Sequence, residues 1–172
     1  MLLHFREQLQ PLILRPLGAQ DIDALYSLCQ SQPDYYRHLG ETCTRDKLLH
    51  GLRALPPDVL PQQKGYLGFW KDARLAAVLE IILAYPDADT VLLGFLMVDR
   101  SHEGMGLGST IVHHLKVALQ AQGYREIVLS YAEGNAQSRH FWLGQGFVET
   151  GEADEPEREG EARLLVMTQA LA

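Results

Sequence analysis

Ser101-His102-Glu103-Gly104-Met105-Gly106-Leu107-Gly108-Ser109-Thr110 reads SHEGMGLGST, with glycine at positions 104, 106 and 108. The run before it, Thr90 to Val98, is apolar and strand-like. After it the period changes: Leu107, Ile111, Leu115 and Ala118 recur every three or four residues out to Gly123, a favourable C-terminal glycine. The stretch therefore joins a strand to a helix through a tight turn. Such a junction suits an anion, because a helix N-terminus presents unpaired N–H donors at its positive dipole end and glycines let the backbone approach closely. The phosphate-binding GK[ST] ending is missing, since Gly108 is followed by Ser109 and Thr110. The dinucleotide fingerprint GxGxxG requires glycine at 109, which is serine, and this strand does not open the chain as the first strand of that fold does. On spacing alone, a tight turn without a ligand stays open.

The rest of the chain narrows the choice. It has 172 residues, enough for one domain over 1–172 with a sizeable core, and 47% are hydrophobic. The net charge of −7, from 15 basic and 22 acidic residues, argues against a nucleic-acid partner. Two cysteines, Cys29 and Cys43, make neither a disulfide framework nor a CxxC metal pair. His113 and His114 point to two sides of a helix and lack the i,i+4 spacing of a metal site, so no metal is expected. His102 and His140 read as surface residues. The N-terminal MLLHFREQLQPLILRPL has no long apolar segment followed by a small-residue cleavage site, and no run approaches the ~18 apolar residues of a membrane span. The expectation is a cytoplasmic protein with no membrane partner.

Along the chain, Leu12 to Arg15 reads as a short strand stopped by Pro16. A helix is expected over about 21–31, a loop over Gln32-Pro33-Asp34-Tyr35-Tyr36, and a second helix over Thr44 to Leu55, ended by Pro56-Pro57. Tyr66–Trp70, Leu75–Tyr85 and Thr90–Val98, joined by short turns, predict an antiparallel meander. Ile127–Tyr131 is a strand, Ala136–Leu143 a short helix, and Gly146-Phe147 leads into a further strand. Glu149–Glu161 reads as a long exposed loop, and Leu164–Thr168 as a closing strand. The class is α/β or α+β, with a central mixed, mostly antiparallel sheet of about six to seven strands and helices on both faces.

VDRSHEGMGLGSTIVHHL resembles motif A of the GNAT N-acetyltransferase superfamily, [QR]-x-x-G-x-[GA], with Glu103 at the Gln/Arg position and Gly106 and Gly108 as the small residues. Asn135-Ala136-Gln137-Ser138-Arg139-His140-Phe141-Trp142, followed by Gly146-Phe147, is similar to the family's N-x-x-A-x-x-F-Y-x-x-x-G-F segment, with Ser138 at the alanine. Both motifs stand in family order, and the likeness covers nearly the whole chain. The resemblance implies acetyl-CoA as cosubstrate. Its pyrophosphate would rest on N–H groups of Glu103, Gly104, Met105, Gly106, Leu107, Gly108 and Ser109. Its pantetheine arm would run along Met97, Val98 and Asp99, with Asn135, Ser138 and Trp142 on the other side. The N–H near Val98 would serve the oxyanion.

Two positions depart from the pattern. Glu103 puts a carboxylate beside the expected pyrophosphate, which at ~6 Å costs roughly 0.7 kcal/mol in bulk water and about 3 kcal/mol at an effective dielectric of 20. Trp142 stands where many members carry a tyrosine general acid, and indole N–H has no useful acidity. A thiol of pKa about 8.5 leaves tolerably without that help. Tyr131 is a substitute acid or a packed core tyrosine. Glu80, on the strand face of Val78 and Ile82, is a general base for the amine or a paired strand-face carboxylate. Tyr35 and Tyr36, near Asp34 and His38, lie where this family binds its acceptor, and packing explains them as well. The resulting expectation is acetyl transfer to a primary amine of a small cationic molecule or a peptide N-terminus, by a monomer or homodimer. The runner-up is a catalytically weak acyl-CoA-binding sensor or interaction protein. A different nucleotide-binding protein requires both motifs to be discounted.

Overall fold

The computed structural model describes residues 12–171; the N-terminal residues 1–11, on which most of the targeting reading rests, lie outside it. Among the described residues seven strands form one sheet: β1 (Ile13–Pro16), β2 (Lys64–Lys71), β3 (Arg74–Leu83), β4 (Thr90–Val98), β5 (Glu126–Ala132), β6 (Val148–Asp154) and β7 (Leu164–Ala170). Their order across the sheet is β1-β2-β3-β4-β5-β7-β6. The helices are α1 (Ile22–Gln30), α2 (Pro33–Leu39), α3 (Arg45–Arg53), α4 (Leu107–Gln120) and α5 (Ala136–Gly144). Every strand pair is antiparallel except β4–β5. A parallel pair needs a crossover, and α4 is that crossover.

The β2–β3 hairpin turns at Asp72 and Ala73, both with positive φ, which is the backbone of a two-residue turn matched to strand twist. Two cores flank the sheet. Ile111, Val112, Leu115 and Leu119 of α4 are all buried against Leu79 and Ile81 of β3 and Ile127 and Leu129 of β5. Each such side chain contributes roughly 1.5–3 kcal/mol by burial. On the opposite face Leu25 and Leu28 of α1 and Leu48 of α3 pack on Tyr66, Val78 and Met97.

A bulge divides β4 between those cores. Glu80 pairs with Phe95 but Ile81 pairs with Leu93, so Gly94 has no partner residue on β3. The extra residue reverses the alternation: Val91 and Leu93 face α4, whereas Phe95 and Met97 face α1. At the same place β4 parts from β5, because their ladder covers only Thr90–Leu92 against Glu126–Val128. The sheet therefore opens from Leu93 onward.

Two expectations are corrected. Pro33–Leu39 is a helix and not a loop: proline at its first position needs no N–H partner there, and Gly40 ends it in the left-handed conformation (φ 71°). Half of the expected loop 149–161 is β6, an edge strand whose polar residues face solvent and whose backbone pairs with β7.

Candidate active site

The opening between β4 and β5 is a cleft of about 900 Å³. One wall is Leu93–Val98, the other Leu129–Ala132 with Phe141 and Trp142 of α5, and the floor is the glycine loop entering α4. Gly104 and Gly106 have φ of 71° and 78°, with open space where a Cβ would stand, so conformation is what calls for glycine there. Gly108 is constrained differently: a Cβ would lie 3.2 Å from Cζ of Phe141. Gly106 caps α4, whose first internal bond runs from the Thr110 N–H to the Gly106 carbonyl. The N–H groups of Leu107, Gly108 and Ser109 in this first turn have no intrahelical acceptor. A phosphate group fits such a loop on both conformation and charge.

Of the residues singled out from sequence, Met97, Val98, Glu103, Gly104, Gly106, Leu107, Gly108, Ser109, Tyr131, Asn135, Ser138, Trp142 and Tyr35 line this one cleft. Asp99, Met105, Glu80 and Tyr36 do not. The Asp99 carboxylate accepts the Ser101 N–H and closes the turn before the loop. Met105 is exposed. His102, read as a surface residue, borders the cleft. His140 is exposed.

Tyr36 turns into the core beneath α1, where its hydroxyl meets Cys29 and Cys43. Burial pushes the Cys29 thiol up to about 12, which leaves it a packing residue. Tyr35 stands edge-on to Tyr36 (centroids 5.3 Å) and to Phe95 (5.7 Å), and burial raises its phenol.

Glu80 has a partner. The Lys64 Nζ lies 2.7 Å from its Oε1 and also donates to the carbonyls of Gly51 (2.6 Å) and Ala54 (2.7 Å) at the end of α3. The carboxylate lies directly behind the bulge, since a Cβ on Gly94 would stand 3.2 Å from its Oε2.

Tyr131 also has its proton engaged. Its Oη donates to Glu149 Oε1 at 2.5 Å, and Arg139 grips both oxygens of the same carboxylate at 2.9 and 3.0 Å. Burial first, and then the carboxylate, raise the Tyr131 phenol. Arg139, helped by Tyr131, lowers Glu149 from its ordinary 4.5 to about 2. A carboxyl lowered on folding stabilises the native state above its unfolded pKa, and that contribution is lost as pH falls toward the folded value. Acid unfolding is therefore expected to draw on Glu149 between about pH 4.5 and 2. Glu149→Gln should flatten this part of the stability profile; an unchanged acid limb would mean that the triad contributes nothing.

Asn135 caps α5, its Oδ1 accepting the Ser138 N–H at 3.0 Å, while its amide Nδ2 makes no hydrogen bond among the described residues. Trp142 packs edge-on between Phe141 and Phe147, with centroids at 4.8 and 5.2 Å.

Several cleft residues were not foreseen. Gln32 comes from the link between α1 and α2, and Asp154 from the end of β6, whereas Asp34 and His38, named beside the tyrosines, do line the cleft. Asp154 was hidden in a segment read as loop. The bulge had a signal in Gly94, an isolated glycine in a strand. Among the described residues no cluster of three or more His, Cys, Asp or Glu could hold a metal, and no helix is long and apolar enough to cross a membrane.

The parallel β4–β5 pair splays apart, with the glycine loop and the N-terminus of α4 at the foot of the splay. The chain belongs to the acetyltransferase (GNAT) family, whose model matches residues 25–147. It is similar in fold to an acetyltransferase from Thermus thermophilus, with a TM-score of 0.74, 22% identity, and coverage of 93% of this chain and 97% of that one. The ribosomal-protein-S18-alanine N-acetyltransferase of Escherichia coli gives 0.68 at 16% identity, covering 94% of each. PaiA N-acetyltransferase of Thermoplasma acidophilum, solved in complex with coenzyme A, gives 0.65 at 16% identity, covering 94% of this chain and 99% of that one. No curated protein sequence matches the chain.

Proposed function

We propose that this protein, as one domain, transfers the acetyl group of acetyl-CoA to a primary amine by direct attack while both are bound. The observation that carries the reading is the cleft itself: β4 parts from β5 at the Gly94 bulge and leads to the open loop of Gly104 and Gly106. The Gly104–Ser109 N–H groups hold the pyrophosphate, and the free edge of β4 at Met97 and Val98 carries the pantetheine arm. The Asp99 N–H bonds to Ala76 on β3, so alternation aims the Val98 backbone into the cleft. Its N–H is the donor for the oxygen on which charge develops. The Asn135 amide donates to the arm from the other wall, beside Ser138 and Trp142.

Glu80 receives the amine's proton through water at Gly94, with Lys64 holding its carboxylate in place. Tyr131, bonded to Glu149, is a poor acid, and the thiolate leaves mostly unaided. Asp34, His38 and Asp154 line the cleft beside Tyr35; Asp34 is paired with Arg37 at 2.6 Å, and the Asp154 carboxylate favours a cationic acceptor, either a small amine or a peptide N-terminus. The cytoplasm supplies both substrates.

A second reading, a weak acyl-CoA-binding sensor, is favoured by one fact: Tyr131 and Glu80 both have charged partners already. Calorimetric titration with acetyl-CoA, CoA, ATP and NADH is expected to show saturable binding of the first two alone. Thiol release with a panel of amines then separates the readings. Turnover of any amine establishes the enzyme, and binding without turnover establishes the sensor. Preference for ATP or NADH would overturn both.

A further inference from the structure

We infer that Gln32 is a positioning residue for the cofactor loop: its amide restrains the Glu103 carboxylate so that a phosphate group can bind beside it. The inference rests on the proposed acyl-CoA reading of the cleft. Gln32 lies between α1 and α2, far from the glycine loop in sequence. Its Nε2 donates to Glu103 Oε1 at 2.7 Å and to the Val98 carbonyl at 2.9 Å. Both partners are oxygens, so the nitrogen must face them, and the two amide protons are both used. A second tie lies beside it: Ser31 Oγ accepts the Arg100 N–H at 3.1 Å and donates to the Leu28 carbonyl at 2.7 Å. The end of α1 is thus bound to the segment that leads from β4 into the loop.

An exposed glutamate next to open N–H donors is a competing anion. Left free, its flexible side chain samples the same donors that a phosphate needs, and its charge repels that phosphate. The Gln32 amide removes that freedom. It anchors the carboxylate at the Val98 end of the loop and offsets part of its charge with a directed donor. The family pattern would place a neutral or cationic side chain at 103; in this chain the compensating group comes from another element.

The test is a two-by-two titration with CoA, comparing the unaltered protein, Gln32→Ala, Glu103→Gln and the double variant at low and moderate salt. Gln32→Ala is expected to weaken CoA binding about tenfold at low salt, with the loss shrinking as salt is added. Glu103→Gln alone should tighten it by about twofold to threefold, and the double variant should bind within about twofold of the unaltered protein. In turnover, Gln32→Ala should raise KM for acetyl-CoA and leave kcat in place. Equal affinity of Gln32→Ala and the unaltered protein overturns the inference. A double variant as weak as Gln32→Ala also overturns it, because Gln32 then only stiffens the loop. Failure of the unaltered protein to bind CoA overturns the cofactor reading itself and this inference with it.

Discussion

Gly106→Val is expected to weaken acetyl-CoA binding by about a hundredfold or more while costing the fold only about 1–2 kcal/mol. Gly106 sits at φ 78°, ψ 5°, and has open space around its Cα. A Cβ there would meet no neighbour, so the penalty lies chiefly in local backbone strain. A β-branched residue resists the left-handed conformation, and the backbone relieves the strain by rotating. That rotation turns the N–H groups of the following residues away from their common focus, where a phosphate depends on all of them. Gly123→Val is the control. Gly123 has φ 89° and open space too, but it lies beyond the other end of α4. It should cost similar stability and leave affinity alone. If both variants bind acetyl-CoA as the unaltered protein does, the glycine loop is a turn and not a phosphate site.

Lys64→Met is expected to destabilise the protein by about 3 kcal/mol, which for a chain of this size lowers Tm by roughly 6–12 °C. The Lys64 side chain is 6% exposed and its partner Glu80 is 18% exposed, so solvent screens the pair only partly. Removing the ammonium leaves a mostly buried carboxylate without its counter-ion and two carbonyls at the end of α3 without their donor. Glu80→Gln keeps a hydrogen-bond acceptor for Lys64 and should cost about 1 kcal/mol. The same substitution separates structure from chemistry. A base role predicts that Glu80→Gln lowers kcat with acetyl-CoA affinity unchanged. A normal rate across pH removes Glu80 from the mechanism and leaves it as the partner of Lys64. A loss below about 1 kcal/mol for Lys64→Met would mean that water takes over its contacts.

The residues that were legible from sequence are those with periodic burial. Thr90–Val98 and the helix after Gly106 were readable because an apolar run gives way to spacing of three and four, and the fold places them as β4 and α4. A strand was expected after Gly146-Phe147, but the extent of β6 was not readable: six of its seven residues are exposed, so no alternation marks how far it runs. Its length depends on pairing with β7, which is distant information. The charges on this edge strand suit its position, since they discourage pairing with another chain. α2 was missed because its proline and polar residues look like a loop, although proline followed by Gly40 at the far end frames a short helix. The partnership of Glu80 with Lys64 depends on register: Lys64 stands opposite Ile82 and Tyr66 opposite Glu80, making the charged pair diagonal neighbours. Motif spacing located the loop, but the tie from Gln32 to Glu103 joins segments that no local pattern links.

The strand order has a consequence for how the chain acquires its shape. β7 lies between β5 and β6, so β6 follows α5 in sequence yet has nothing to pair with until the later strand arrives. Where α2 meets the loop before β7, the Ala162 N–H bonds to the Leu39 carbonyl, and Gly40 packs so tightly on Gly160 that a Cβ there would overlap its carbonyl oxygen. Contacts between such distant residues are slow to form because loop-closure entropy opposes them. During synthesis the earlier meander can form as soon as it emerges, whereas the far wall of the cleft waits for residues 164–170. The nascent chain thus carries an unpaired β5 edge until residues 164–170 emerge, and an open strand edge is a place where a chain can pair wrongly.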